Sequence, residues 1–270
     1  MPHIHSSFYR FTPLADPEAI ASRVREISTA LGGNVLVAAE GISGAVAGPA
    51  EALAAFEQAL QADPAFGGAF TGIAFKHSAC LNRPFSLIKV HVKPEIVAFG
   101  VPGVSGLADE SKPDTHVSPA AWRALLDAPD VVVLDNRNSF EFRLGRFKNA
   151  IDPQVNNFRD FPAYVEAHAD GWKAEGKRVA MYCTGGIRCE KTSAWMQEQG
   201  LTVYQLDGGI LNYFEQTPDA ATDWQGECFV FDKRIAIDSQ LQETATTAED
   251  VYADEPDGEW RLARARRLDP

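Results

Sequence analysis

Apolar positions along the first 100 residues fall into short alternating runs and helical spacings. His5 to Phe11 reads as a strand, and Pro17 to Leu31 sets Ile20, Val24, Ile27 and Leu31 at helical intervals ahead of Gly32-Gly33, which predicts an amphipathic helix with a glycine stop. Asn34 to Ala39 and Ile42 to Ala47 are apolar runs joined by Glu40-Gly41, a hairpin signal. Pro49 to Leu60 follows as a second helix with proline near its start, and Phe70 to His77 and Leu87 to Val92 complete the set as strands.

The order β-α-β-β-α-β with one further strand is a ferredoxin-like arrangement, expected over residues 1–98. Gly100, Pro102, Gly103, Gly106 and Pro113 punctuate a linker over 99–115. Ser118-Pro119 then starts a short helix, with Ser118 as its cap. From Val131 the texture changes. Val131 to Asp135, Val179 to Tyr182 and Val203 to Leu206 are short apolar runs suited to parallel strands covered on both faces, with a helix over Glu190 to Gln199 that Gly200 stops. A second α/β domain with a central parallel sheet is expected over 116–225. Beyond it the apolar period fades, and Thr244 to Gly258 is polar and acidic, so 226–270 is expected to be an extension that is partly disordered.

Composition narrows the class. In 270 residues, 45% are hydrophobic and 23% charged, and no run approaches the roughly 18 apolar residues of a membrane span. The start, Met1 to Ser7, has neither the basic nor the apolar part of a secretory signal. A cytoplasmic protein is expected. Four cysteines, Cys80, Cys183, Cys189 and Cys228, are too few for a secreted disulfide framework, and the spacing of Cys183 and Cys189 matches no common zinc pairing. The net charge of −12 argues against indiscriminate nucleic-acid binding. It is uneven, since the last 45 residues hold 11 acidic against 6 basic side chains.

Candidate chemistry gathers in Cys183-Thr184-Gly185-Gly186-Ile187-Arg188-Cys189, between an apolar strand and a helix. A helix start lowers a thiol pKa, and Gly185 and Gly186 permit positive φ, so that successive amides can turn inward around an anion. The spacing from Cys183 to Arg188 is Cys-x4-Arg, one residue shorter than a cysteine phosphatase loop, and the smaller ring suits a single sulfur atom on Cys183. The loop resembles that of the rhodanese domain. Asp135-Asn136-Arg137 with Glu141, Gly145 to Ile151, and Gln205-Leu206-Asp207-Gly208-Gly209 resemble further segments of that domain in the same order. Asp135, Arg137 and Glu141 are read as an ion-pair set that braces the loop. Cys189 is read either as a residue packed under the loop or as a thiol that resolves oxidised or persulfidated Cys183. Cys80 and Cys228 are read as structural, His77 beside Cys80 makes no metal site, and the tryptophans are assigned to packing.

The resemblance extends over nearly the whole chain to about residue 238. Leu36 to Gly44, Lys89 to Val97, Phe158 to Pro162, Cys183 to Lys191 and Gly226 to Asp232 resemble the oxygen-dependent tRNA uridine(34) hydroxylases. That resemblance implies 5-hydroxylation of the wobble uridine of tRNA in a bacterial cytoplasm, with molecular oxygen as co-substrate, an unidentified reductant and Cys183 as the essential thiol. The loop length by itself motivates an alternative, a sulfurtransferase that carries a persulfide on Cys183, although the run through Lys191 resembles the hydroxylases more closely. No cofactor or metal fingerprint is recognised in the sequence, and no membrane partner is expected. Lys76, Arg83, Lys89, Lys93 and Arg159 are the candidate phosphate contacts, because the acidic tail suits RNA poorly.

Overall fold

Phe8 on one strand, Val35 and Val37 on a second, and Ile42 and Val46 on a third are buried at even spacing, so one face of a sheet is apolar. The computed structural model describes residues 3–107 and 111–266, which cluster into two compact units. The first contains β1 (His3–Phe11), α1 (Pro17–Ile27), β2 (Gly32–Ala38), β3 (Gly41–Pro49), α2 (Ala50–Ala62), β4 (Phe75–Cys80) and β5 (Ile88–Val92). The sheet order is β4-β1-β3-β2-β5, with the extra strand β5 running parallel to β2 and the other pairs antiparallel. Ile20 and Val24 of α1 and Leu53, Phe56 and Leu60 of α2 close the core on the apolar face.

Two elements differ from the sequence expectation. The first helix ends at Ile27, short of Leu31, because Ser28 turns back on the preceding turn: its hydroxyl donates to the Val24 carbonyl at 2.6 Å. The fourth strand starts at Phe75, short of the Phe70 start read from the sequence, because Gly67, Gly68 and Gly72 take positive φ and hold the preceding segment in turns.

In the second unit the order is β6 (His116–Val117), α3 (Pro119–Leu126), β7 (Val131–Asp135), α4 (Ser139–Leu144), β8 (Gly145–Phe147), α5 (Phe161–Ala174), β9 (Arg178–Tyr182), α6 (Ile187–Glu198), β10 (Val203–Leu206) and α7 (Gly209–Gln216). The parallel sheet runs β6-β10-β9-β7, so β9 lies inside it and its carboxyl end carries the cysteine loop. Ser118 caps α3 by accepting the Ala121 N–H at 3.3 Å, as its position before proline predicts. β11 (Trp224–Gly226) pairs with β8, and β12 (Cys228–Phe229) pairs with β13 (Ala236–Ile237).

The C-terminal stretch divides between the units where the sequence reading had one extension. Residues 236–241 cluster with the second unit, whereas Phe231–Ile235 and the described residues from Gln242 cluster with the first. A short helix, α8 (Ala248–Tyr252), lies in the acidic stretch that lacks an apolar period, and a second, α9 (Gly258–Arg266), begins at its last residue. Local capping supports the first of them, since Thr247 Oγ1 accepts the Asp250 N–H at 3.2 Å and Asp250 accepts the Thr247 N–H at 2.8 Å.

A buried ion pair fixes Phe231–Ile235 within the first unit. Arg234 donates to Asp232 through Nε at 2.9 Å and Nη2 at 2.6 Å, while its Nη1 donates to Ser78 Oγ on β4 at 2.7 Å. His5 of β1 lies 3.4 Å from the same carboxylate. Burial opposes the Asp232 charge, but the Arg234 hydrogen bonds hold its pKa below the ordinary carboxylate value. Arg234→Met strands that carboxylate and is expected to destabilise the chain by about 3–5 kcal/mol in urea titration; Asp232→Asn with Arg234→Met is expected to cost less, because no unpaired charge remains.

Candidate active site

The loop begins where β9 ends, after Tyr182, and closes where α6 begins, at Ile187. Gly186 caps α6 in the left-handed region at φ 99°, which turns its N–H onto Cys183 Sγ at 3.1 Å. Gly185 does not use positive φ, contrary to the sequence reading. A Cβ built there meets nothing within 4 Å among the described residues, so it opens the loop's rim. Thr184, Gly185 and Ile187 are half-buried around that rim, and Cys183 lies beneath them with 1% of its surface exposed.

The glycine pair Gly208-Gly209 supports the loop from behind. Gly209 has φ 69°, and a Cβ there would stand 2.4 Å from the Cys183 carbonyl oxygen and 2.7 Å from that of Thr184. This close approach lets the first amides of α7 reach the loop: Ile210 N–H donates to the Cys183 carbonyl at 3.0 Å, and Leu211 N–H to that of Thr184 at 3.1 Å. The loop carbonyls therefore point away from the sulfur, leaving amides to face it.

Arg188 and Glu141 form a buried bidentate pair, with Nη1 to Oε2 at 2.7 Å and Nη2 to Oε1 at 2.8 Å. Burial raises the Glu141 pKa, but the charge and hydrogen bonds of Arg188, with the Arg137 charge and the Asn138 N–H, together outweigh it and the net shift is downward. Asp135 and Arg137 pair with each other through Nε at 2.9 Å and Nη2 at 2.6 Å, and Arg137 Nη2 also donates to the Gly145 carbonyl at 2.6 Å. Of the three residues read as a brace, Glu141 contacts the loop directly, whereas Asp135 and Arg137 secure the strand end and the helix that carries Glu141.

Burial raises the Cys183 pKa by itself. A hydrogen bond with the Cys189 thiol, the Arg188 charge and the amides of Cys189 and Arg188 more than offset it, and the Cys183 thiol lies well below its ordinary value. Cys189 moves the other way, because it is buried and holds its proton against the Cys183 anion. Burial likewise raises Cys80, and pushes Cys228 to about 12. Both side chains are buried.

Within the first unit the candidate phosphate contacts do not form one patch. Lys89 and Lys93 are exposed and share one face of the edge strand β5 and its continuation, whereas Lys76 is on the opposite edge strand β4, about 19 Å away across the sheet. Lys76 stands over the Tyr9 ring at 5.3 Å. Arg83 is exposed between β4 and β5, and Arg159 is exposed in the second unit. His77 bonds Glu57 at 2.7 Å on the helix-covered side of β4, and no group of three metal-ligating side chains occurs among the described residues. Four tryptophans are buried, but Trp260 is 59% exposed under the Arg264 guanidinium.

Two residues beside the loop escaped the sequence reading. Asn136, the middle of Asp135-Asn136-Arg137, is buried and donates to Thr192 Oγ1 at 2.9 Å and toward Cys189 Sγ at 3.9 Å. His116 at the start of β6 bridges Asp114 and Glu190, each at 2.8 Å, and so ties the sheet edge to the first turn of α6. The Glu190 hydrogen bond leads the causes that raise the His116 pKa to about 9.

Residues 4–96 match the family described as UPF0176 acylphosphatase like domain, and residues 118–216 match the rhodanese-like domain. A protein of Synechococcus elongatus named tRNA uridine(34) hydroxylase is 47% identical over 239 residues, covering 87% of this chain and 86% of its own. Proteins with the same name in Deinococcus radiodurans and Legionella pneumophila are each 42% identical, over 90% and 88% of this chain and 78% and 91% of their own.

Gly209→Ala is expected to force the loop carbonyls outward, costing about 1–3 kcal/mol of stability and slowing the labelling of Cys183 by iodoacetamide. For His116, the folded pKa stands above the unfolded value of about 6.5. Its contribution is therefore complete below that value and lost as pH rises toward about 9. The stability difference between the parent and His116→Gln, followed by denaturant titration, is expected to be largest near pH 6 and to vanish above pH 9.

Proposed function

The chain belongs to the tRNA uridine(34) hydroxylase family, and on that premise we propose that the Cys183 thiolate is the group on which its reaction depends. The enzyme is an oxidoreductase that hydroxylates uridine 34 of tRNA. In the proposed reaction the hydroxyl enters at C5 and comes from molecular oxygen. One oxygen atom enters a C–H bond and the other leaves as water, so a two-electron reductant completes the balance. The reaction is assigned to the cytoplasm.

The observation that supports this role is a buried sulfur that accepts the Gly186 amide at 3.1 Å, beneath a rim left open at Gly185. A sulfur anion at the bottom of an open rim can meet a base brought in from outside. The wobble base sits in a loop, where unstacking it costs little. Lys89 and Lys93, exposed on one sheet face, are the favoured phosphate contacts of the first unit, with Lys76 and Arg83 as outlying ones and Arg159 as that of the second. The sulfurtransferase alternative rests on the length of the loop alone, whereas the hydroxylase name attaches to relatives along most of the chain.

Nucleoside mass spectrometry of tRNA from a deletion strain tests the reading. The parent gene is expected to restore 5-hydroxyuridine-derived nucleosides, and Cys183→Ser to fall by at least about 100-fold with an unchanged circular dichroism spectrum. Full restoration by Cys183→Ser would end the assignment. Rapid thiosulfate turnover without any tRNA effect would favour sulfur transfer.

A further inference from the structure

The five strands of the first unit contain no Asp or Glu, although the chain has 37 of them, and they carry Arg10, Lys76, Lys89 and four histidines. Helices α1 and α2 close only the face that presents Phe8, Val35, Val37, Ile42 and Val46. Two rungs cross the other face. In one, Ser43 of β3 lies between Tyr9 of β1 and Leu36 of β2, with His91 of β5 beyond Leu36. In the next, Ala45 lies between Ser7 and Asn34, with Lys89 beyond Asn34. The small side chains of β3 make a furrow between β1 and β2, which stand two strand spacings apart, about 9.5 Å.

The two sides of the furrow differ in chemistry. On the β1 side the half-buried rings of Tyr9 and Phe11 stand 6.2 Å apart at 68°, with Lys76 over Tyr9 at 5.3 Å. On the β5 side Lys89, His91 and Lys93 are exposed at alternate positions, and the Lys93 N–H donates to the Val37 carbonyl at 2.9 Å, so strand pairing continues to it. Successive members of that row are about 6.7 Å apart, close to the spacing of phosphates in an extended nucleotide chain. Phe231–Ile235 occupies only the far end of this face, where Arg234 donates to Ser78 and Asp232 stands beside the buried His5.

Cations in a row beside flat rings suit an unstacked RNA strand, whose phosphates pair with lysines while its bases lie against the rings. An acidic peptide would use the lysines and leave the rings idle, and a duplex keeps its base faces stacked inside. We propose that this sheet face holds an unstacked stretch of tRNA, with phosphates along Lys89 and Lys93 and bases against Tyr9, Phe11 and His91. The assignment rests on the reading of tRNA as the substrate and adds to it the groups that meet bases.

Fluorescence anisotropy of the full chain with labelled tRNA, an anticodon stem-loop and a blunt RNA duplex tests the proposal. Lys89→Gln with Lys93→Gln is expected to weaken stem-loop binding about 10-fold and to lower the slope of log affinity against log salt by about 1.4. Phe11→Ala is expected to weaken it about 5- to 100-fold and to leave duplex binding unchanged. Should Phe11→Ala fail to fold by circular dichroism, His91→Ala, at an exposed position, reads the same stacking. Parent-like stem-loop binding by the double lysine variant, or by the folded ring variants, overturns the proposal and leaves tRNA as the substrate. An equal loss of duplex binding in the ring variants overturns it too, as does a poly-glutamate peptide that competes as well as unlabelled stem-loop. A parent chain that binds no tRNA at all removes the substrate reading itself, and this proposal with it. Binding is read without turnover, so the outcome for Cys183→Ser does not enter.

Discussion

A guanidinium folded into a loop at the end of a buried strand must have a fixed counter-ion, and the Arg188–Glu141 pair meets that requirement. Arg188 is 8% exposed and Glu141 fully buried, a setting in which either charge alone would cost several kcal/mol. Glu141 reaches Arg188 from α4, and α4 is held at both ends. Its carboxylate also accepts the Asn138 N–H at 3.1 Å at the helix start, while the carbonyl of Gly145, just past the helix end, accepts from Arg137. The Asp135–Arg137 pair thus connects the end of β7 to the end of α4. The first ion pair shapes the loop, and the second keeps the first in place.

The Arg188 charge, although paired with Glu141, still stabilises the Cys183 anion. Directed groups support the anion as well: the Gly186 amide, the amides of Arg188 and Cys189, and the Cys189 thiol. Directed donors need exact placement in a way that a diffuse field does not, which explains the close approach of Gly209 behind the loop. Acceptors are turned outward by the α7 amides, and donors remain inside.

Much of this was legible in residues. The strand and helix order of the first unit, the parallel runs of the second, Ser118 as a cap, and Cys183 with Arg188 all follow from spacing and local chemistry. The end of α1 did not, since a serine hydroxyl bonding one turn back overrides the apolar period through Leu31. The start of β4 escaped because three glycines outweigh the apolar residues among them. Thr247 and Asp250 had the spacing of a capping box, but the polarity around them concealed it. Asn136 and His116 were out of reach for another reason. Their partners, Cys189 and Glu190, stand more than 50 positions away in the chain, and only the parallel sheet brings them together.

The return of Phe231–Ile235 to the first unit bears on how the chain is made. Residues 3–97 are translated before the second unit, carrying β1 with His5 and β4 with Ser78, yet Asp232 and Arg234 follow only after residues 98–230 of that unit. Until then the nascent sheet lacks the ion pair that occupies those positions in the finished protein. Its completion is therefore one of the last events of synthesis, and a ribosome stalled near residue 225 would carry a first unit that still lacks this buried ion pair.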